Sequence, residues 1–141
     1  MKFYQKEIVL PEFKRGYHLI THLLIEKITK ELHEIKIGQF QAFLKHTSAS
    51  LTINENADPT VRIDFETHIN KMIPENMPYY KHDYEGADDM PAHIKSSMLG
   101  CQVSIPISNG KLNLGTWQGV YLGEHRNFGG NRRIVLTIIG E

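Results

Sequence analysis

The apolar residues in the first half of the chain follow two spacings, one typical of strands and one typical of a helix. Residues 3–10 alternate weakly between apolar and polar side chains and end at a proline, which predicts a first strand. Residues 21–32 carry apolar side chains at 24, 25, 28 and 32, the stripe of an amphipathic helix. Residues 38–45 and 50–53 then predict two more strands.

The second half of the chain predicts two helices followed by strands. Asp58 and Pro59 form a strong helix start, and the apolar spacing carries that helix to about Met72. A second helix opens at residues 88–91 and stops at Gly100. Strands follow at 102–107, 111–114, 118–122 and 133–139, with hairpin turns predicted at 109–110 and 129–130. The predicted fold class is α+β, with antiparallel strands dominating and helices to one side.

Length and composition limit the classes of protein to consider. A chain of 141 residues is expected to form one domain over residues 1–141. The single Cys101 excludes an internal disulfide framework, and no apolar run approaches the roughly 20 residues of a membrane span. The first residues lack the apolar region of a signal peptide, so we expect a cytoplasmic protein without membrane attachment.

The charges balance overall but are unevenly placed. The chain has 16 Lys+Arg and 16 Asp+Glu, which argues against a general nucleic-acid binder. Residues 58–100 carry a net charge of −4, while the segments on either side carry +2 each. This distribution suits a cation held in the middle segment and an anion near the flanks, although ordinary surface variation would give the same counts.

The densest polar cluster spans residues 82–93 and contains two histidines and four carboxylates. Imidazole and carboxylate groups are ligands for divalent metals such as zinc, so His82 and His93 are candidate ligands. The alternative is structural: Asp88 and Asp89 favour a helix N-terminus through its dipole, and His93 is a hydrogen-bonded interior residue.

A second candidate site is the hydroxyl-rich corner at residues 46–50, where one strand ends and the next begins. Exposed backbone amides and the hydroxyls of Thr47, Ser48 and Ser50 would suit an oxyanion. His46 would serve there as a general acid or base, or as a metal ligand. The alternative is a polar turn whose hydroxyls cap the backbone.

Further candidates lie near two glycine-containing turns and at two strand ends. Trp117, followed by Gln118, sits between two glycines and could stack on an aromatic ring, although a core or interface tryptophan is as consistent with the sequence. Three arginines near the Gly-Gly turn match phosphate geometry or belong to a solvated hairpin tip: Arg126, Arg132 and Arg133. Two glutamates, Glu55 and Glu124, are candidate bases.

Taken together, these motifs resemble the signatures of the YjbQ-type family. The matching segments are residues 46–52, 54–55, 58–61 with 64, 82–85, 88–95, 110–112 and 114–119, followed by Glu124 and Arg133. The resemblance covers nearly the whole chain and depends on several motifs in one order.

The resemblance implies a compact, β-sandwich-like α+β domain that assembles as a homotrimer. Family members are commonly named secondary thiamine-phosphate synthases, which join hydroxymethylpyrimidine diphosphate to a thiazole phosphate and release pyrophosphate. By analogy, a divalent metal (zinc or magnesium) would lie in a cleft between subunits, on His46, His82 and His93. The ligand would be a small phosphorylated heteroaromatic metabolite. A metal-dependent hydrolase and a non-catalytic trimeric binding protein are the alternatives.

Overall fold

The computed structural model describes residues 1–141, and its elements follow the predicted order closely. They are β1 (Lys2–Val9), β2 (Gly16–Leu19), α1 (Thr21–His33), β3 (Ile37–Leu44), β4 (Ala49–Glu55), α2 (Pro59–Met72), α3 (Asp89–Leu99), β5 (Gln102–Ser108), β6 (Lys111–Leu112), β7 (Gln118–Glu124) and β8 (Arg133–Gly140). Every predicted helix and strand is present, and most ends agree within two residues.

The strands form two antiparallel sheets that share one core, which confirms the predicted α+β class. The larger sheet has the order β1-β8-β3-β5-β6 and the smaller has the order β2-β7-β4. Inward-facing side chains from both sheets meet in a single cluster, among them Phe40, Ile105 and Leu136 of the larger sheet and Leu51 and Leu122 of the smaller one. Strict alternation along β3, β5 and β8 leaves the opposite face exposed, where polar side chains lie beside apolar ones such as Ile37, Phe43 and Ile139.

One of the two predicted hairpins is present and the other is not. Asn109 and Gly110 both have positive φ and join β5 to β6 in a two-residue turn, as predicted. The Gly129-Gly130 segment does not join a hairpin, because β7 lies in the smaller sheet and β8 in the larger. Residues 125–132 therefore cross between the two sheets, which draws Arg132 into the interior instead of placing it at a solvated tip.

The three helices take two different positions. α1 buries Leu24, Ile28 and Leu32 in the shared core and contacts β6 and β7, one strand from each sheet. α2 packs on β2 and α3 packs on β4, so both cover the smaller sheet. The Asp58 side chain accepts a hydrogen bond from the Thr60 amide at 2.9 Å and caps α2, as predicted. None of the helices combines the length and apolar character needed to cross a bilayer.

Candidate metal site

Two imidazoles and one carboxylate converge at the start of α3. The Nε2 atom of His82 lies 2.7 Å from Oδ2 of Asp89, and Nε2 of His93 lies 3.2 Å from the same oxygen. The three ligand atoms lie within 4.8 Å of one another. The Asp89 side chain is only 1% exposed, whereas both histidines are about one-third exposed. The cluster thus has a buried carboxylate and an imidazole side that is accessible.

Two features bring this cluster together: the spacing of its residues on a helix and the ion pairs of Arg126. Asp89 and His93 are four residues apart on α3, so their side chains lie on one face of the helix. Arg126 donates from Nε to Asp88 at 2.9 Å, from Nη1 to Asp89, and from Nη2 to the Glu85 carbonyl at 2.9 Å. These contacts hold the loop before α3 against the helix that carries the carboxylates.

The carboxylate of Asp89 stays ionised in this setting. Burial opposes ionisation, but the hydrogen bond from His82 and the positive charge of Arg126 hold the pKa of Asp89 below its ordinary value. An ionised carboxylate is an acceptor only, and it is the form that binds a metal.

The hydrogen bonding of His93 fits a bound cation. Its Nδ1 atom lies 2.8 Å from the Thr47 carbonyl oxygen, which can only accept, so Nδ1 carries the ring proton. The Nε2 atom then faces the Asp89 carboxylate and must either carry a second proton or share a cation with that oxygen. A backbone carbonyl that orients the far nitrogen of a histidine is the usual support for a metal-ligating imidazole. The donor set of two nitrogens and one oxygen therefore suits a divalent ion.

His46, which the family resemblance implies as a third ligand, does not join this group. Its Nε2 atom accepts a hydrogen bond from the Arg133 amide at 2.8 Å, so that lone pair is already used. Burial, together with the positive charge of Arg132, lowers the pKa of His46 and keeps it neutral with its proton on Nδ1. His46 nevertheless lines a cavity of about 280 Å³ together with His93, so it stands beside the cluster.

A second cavity opens on the other side of the cluster. It has a volume of about 290 Å³, and His82, Asp83, Tyr80 and Met90 are among its lining residues. Its wall combines apolar and polar side chains next to the accessible imidazole of His82. A small metabolite in this cavity would lie within contact distance of one of the candidate ligands.

Several predicted site residues are directed into the interior. Glu124 is fully buried, and its two oxygens accept hydrogen bonds from Arg132 at 2.8 and 2.6 Å. Arg132 also donates to the Ser48 hydroxyl at 3.0 Å. Ser50 and His125 are buried as well, and their Oγ and Nε2 atoms are 2.9 Å apart. As placed, these buried groups bond to one another and hold the corner at residues 46–50 from inside.

The buried Glu124–Arg132 pair is expected to contribute strongly to stability. Glu124→Ala leaves the Arg132 guanidinium buried without its carboxylate, which typically costs about 3–5 kcal/mol of unfolding free energy. Urea denaturation would measure the loss. Glu7→Ala, which breaks an exposed pair with Lys45, serves as the control and should have a much smaller effect. Equal losses in the two variants would contradict the prediction.

His125 predicts a pH dependence of stability. Burial, and next the charges of Lys95 and Arg132, lower the pKa of His125 to about 3 from its ordinary 6.5. The unfolded chain therefore binds a proton that the folded chain does not between these pH values, so stability falls as the pH drops from 6.5 towards 3. The expected slope from this residue is about 1.4 kcal/mol per pH unit.

Urea denaturation of His125→Asn between pH 4 and 7 would test the assignment. The variant should lose this part of the slope, while the exposed His68→Asn should retain it. An unchanged slope in His125→Asn would show that other groups are responsible.

The remaining candidates lie at the opposite end of the smaller sheet. The register of β4 with β7 pairs Ala49 with Glu124 at one end and Glu55 with Gln118 at the other. Seven residues of strand separate these ends by about 20 Å. Trp117 is 64% exposed at the far end, so within one chain it does not reach the histidine cluster.

Local hydrogen bonds occupy the polar groups at that far end and on Arg133. Glu55 accepts from the Asp58 amide at 3.0 Å, and the Gln118 side chain accepts from the Gly115 amide at 2.8 Å. Arg133 is half exposed and lies 3.3 Å from Glu7.

Of the hydroxyls at residues 47–50, only that of Thr47 belongs to an exposed residue.

Sequence reasoning missed Asp89 as a candidate ligand and Arg126 as the partner of the acidic pair. The sequence favours a helix N-terminus for both aspartates. In the structure Asp88 is the N-cap of α3 and Asp89 is its first residue. The spacing of four residues between Asp89 and His93 was the available signal, since it places a carboxylate and an imidazole on one helical face.

The motifs and the fold both match known proteins. The family model for the UPF0047 protein YjbQ-like family matches residues 6–141. The chain belongs to the YjbQ family. It is 54% identical over 139 residues to UPF0047 protein YjbQ of Salmonella typhimurium, covering 99% of both chains.

Two solved structures of YjbQ-family proteins share the fold. A YbjQ-like protein of unknown function from Sulfolobus solfataricus superposes with a TM-score of 0.87 at 27% identity, covering 99% of both chains. A conserved YjbQ/UPF0047-family protein from Clostridium acetobutylicum has a TM-score of 0.83 at 38% identity, covering 95% of this chain and 99% of that one. The family resemblance predicted from the motifs is thereby confirmed.

Proposed function

We propose that this YjbQ-family protein is a metal-dependent enzyme that acts on a small phosphorylated heteroaromatic metabolite. The activity we assign is that of a secondary thiamine-phosphate synthase, which the motifs resemble. The observation that supports this proposal is the convergence of His82, Asp89 and His93 beside a cavity of about 290 Å³. We further place the protein in the cytoplasm.

In this reaction the thiazole nitrogen forms a bond to the methylene carbon of the pyrimidine diphosphate. The carbon–oxygen bond breaks, and pyrophosphate leaves with the electron pair. A zinc or magnesium ion on the two histidines and Asp89 would supply charge neutralisation for that polyanion.

The charged residues around the cluster determine the net charge of the site that would face the departing pyrophosphate. Asp88 and Asp89 carry two negative charges, and Arg126 offsets one of them through direct ion pairs. The remaining charge suits a divalent cation, which would leave the site positive and favourable for pyrophosphate. The neutral His46 presents an N–H donor beside His93, and the exposed Thr47 hydroxyl adds a second polar group.

We propose that the site is completed by a neighbouring subunit of a homotrimer. Trp117 and Glu55 lie at one end of the β4–β7 pair, about 20 Å along the strands from the end next to Thr47, which contacts His93, so a second copy must supply the far end. Two further observations support an interface. α2 has no buried residue, and several large apolar side chains on or near α2 and α3 are exposed: Ile63, Met72, Tyr79, Tyr84 and Met98.

The activity assay uses purified protein, both phosphorylated substrates, and magnesium or zinc. The expected result is formation of thiamine phosphate and pyrophosphate in a 1:1 ratio by the wild type. His93→Ala, which removes one candidate ligand, is the matched control and should be inactive. Product no higher than in the control would contradict the proposal.

The second candidate is a metal-dependent hydrolase of a phosphorylated or amide metabolite. The observation that favours it is the number of protein ligands, since three are the usual set at a catalytic zinc that keeps an open position. Turnover of a panel of phosphoesters that chelation abolishes would support the hydrolase. Binding of metabolites without turnover of any substrate would instead support a non-catalytic binding protein.

A further inference from the structure

Three buried polar atoms have no hydrogen-bond partner in this protein, and they lie in one region. They are Nε of Arg15, the hydroxyl of Tyr17 and Nη1 of Arg62. Each is a hydrogen-bond donor. Because buried donors are nearly always paired with protein, water or ligand, three orphans in one place call for a common partner.

All three residues line the same cavity between β2 and α2. Its volume is about 370 Å³, and Glu66 is among its other lining residues. Tyr17 is 8% exposed and its hydroxyl is buried, so this donor is not on the surface. The cavity shares no lining residue with the one at His82, so it is separate from the histidine cluster.

The charges in this region favour an anion. Arg15 is paired with Glu75 at 2.6 Å, and its Nε lies 3.4 Å from Glu66 without forming a hydrogen bond. Arg62 forms no ion pair within 4 Å, although its Nη1 is buried and its charge acts on nearby Asp58. Behind them, the buried Lys95 donates only to Asn70, at 2.6 Å, and adds a further positive charge. Among the residues that line the cavity, two arginines therefore face one glutamate, and three buried donor atoms have no partner.

We propose that this cavity binds the oxyanion group of a small metabolite through Arg15, Tyr17 and Arg62. Guanidinium groups present N–H donors in the planar arrangement that phosphate and carboxylate oxygens accept. The cavity, at about 370 Å³ and open to solvent, has room for a molecule larger than a phosphate ion. Phosphate and carboxylate share this chemistry, and the experiment separates them.

Calorimetric titration of the full-length protein with inorganic phosphate, and separately with citrate, tests the site. The protein is first stripped of metal with a chelator, so that binding at the histidine cluster does not contribute. The wild type is expected to bind at least one of the two anions, and the stronger one identifies the class of oxyanion. Arg62→Gln should weaken that binding by about tenfold, the effect of losing one charge-assisted hydrogen bond.

Two further variants make the result specific. Lys71→Gln removes the same charge from an exposed position on α2 and should bind the anion as the wild type does. Tyr17→Phe keeps the buried ring, removes the unpaired hydroxyl, and should raise Tm without ligand while weakening anion binding.

The outcomes that overturn the proposal are distinct. No binding of either anion, or equal affinity in Arg62→Gln and the wild type, would show that the donors meet only solvent. Binding lost in His93→Ala but retained in Arg62→Gln would place the anion at the histidine cluster. None of these results depends on the activity assay, so this proposal and the proposed function fail separately.

Discussion

His93→Ala is expected to bind zinc more than about 100-fold more weakly than the wild type. Losing even an outer partner of a ligand typically costs about 10–100-fold in affinity, and in our proposal His93 is a direct ligand. The two remaining groups, His82 and Asp89, already bond to each other at 2.7 Å. Competition titration against a chelator of known affinity would measure the change, and elemental analysis would give the stoichiometry.

The control for this prediction is His68→Ala. His68 is an exposed histidine on α2, so its loss removes an imidazole without touching the cluster. Asp89→Asn offers a second variant at the site, since it preserves the shape of the side chain but removes its charge. Wild-type affinity in both His93→Ala and Asp89→Asn would show that the cluster does not hold a metal.

Zinc binding should also release protons from this site. In the absence of a cation, Nδ1 of His93 donates to Thr47 and Nε2 lies 3.2 Å from the Asp89 oxygen, where the two atoms can share a proton. A metal ion replaces that proton. Calorimetry in buffers of different ionisation enthalpy would detect the release, and His93→Ala should lack it.

The order of elements could be predicted because local signals and packing agree. Asp58 and Pro59 start α2 where capping chemistry places them, and Asn109-Gly110 forms the expected tight hairpin. The Gly129-Gly130 turn failed as a hairpin signal, because a turn sequence does not reveal which sheet the next strand joins. β8 pairs with β1 and β3, which are far from it in sequence.

The candidate site was only partly predictable for the same reason. His82 and His93 lie in one short segment, so their proximity was readable from the sequence. Glu124 and Arg132 have the residue types of a catalytic pair, and only the crossing between sheets turns them inward. His46 lies beside His93, but the Arg133 amide that takes up its Nε2 lone pair is 87 residues away in sequence.

Mixed oligomers of His93→Ala and Trp117→Ala subunits are expected to regain activity that neither variant has alone. Removing a stacking aromatic typically weakens binding of a ring by about 1–3 kcal/mol, and removing His93 takes away a metal ligand. If each site uses His93 of one subunit and Trp117 of its neighbour, some sites in a mixture contain both an unaltered His93 and an unaltered Trp117. For a cyclic trimer mixed at random in equal amounts, roughly a quarter of the sites are intact.

Co-expression with two affinity tags, followed by the thiamine-phosphate assay, would measure the recovery. The matched control mixes His93→Ala with Asp89→Asn, which alter the same histidine cluster on α3. Every site in that mixture contains one altered ligand, so no activity should return. Recovery in the first mixture alone requires a site built from two subunits, because the β4–β7 register keeps Trp117 and His93 apart within one chain. If neither mixture regains activity while the wild type is active, Trp117 acts outside the site and the shared-site proposal fails.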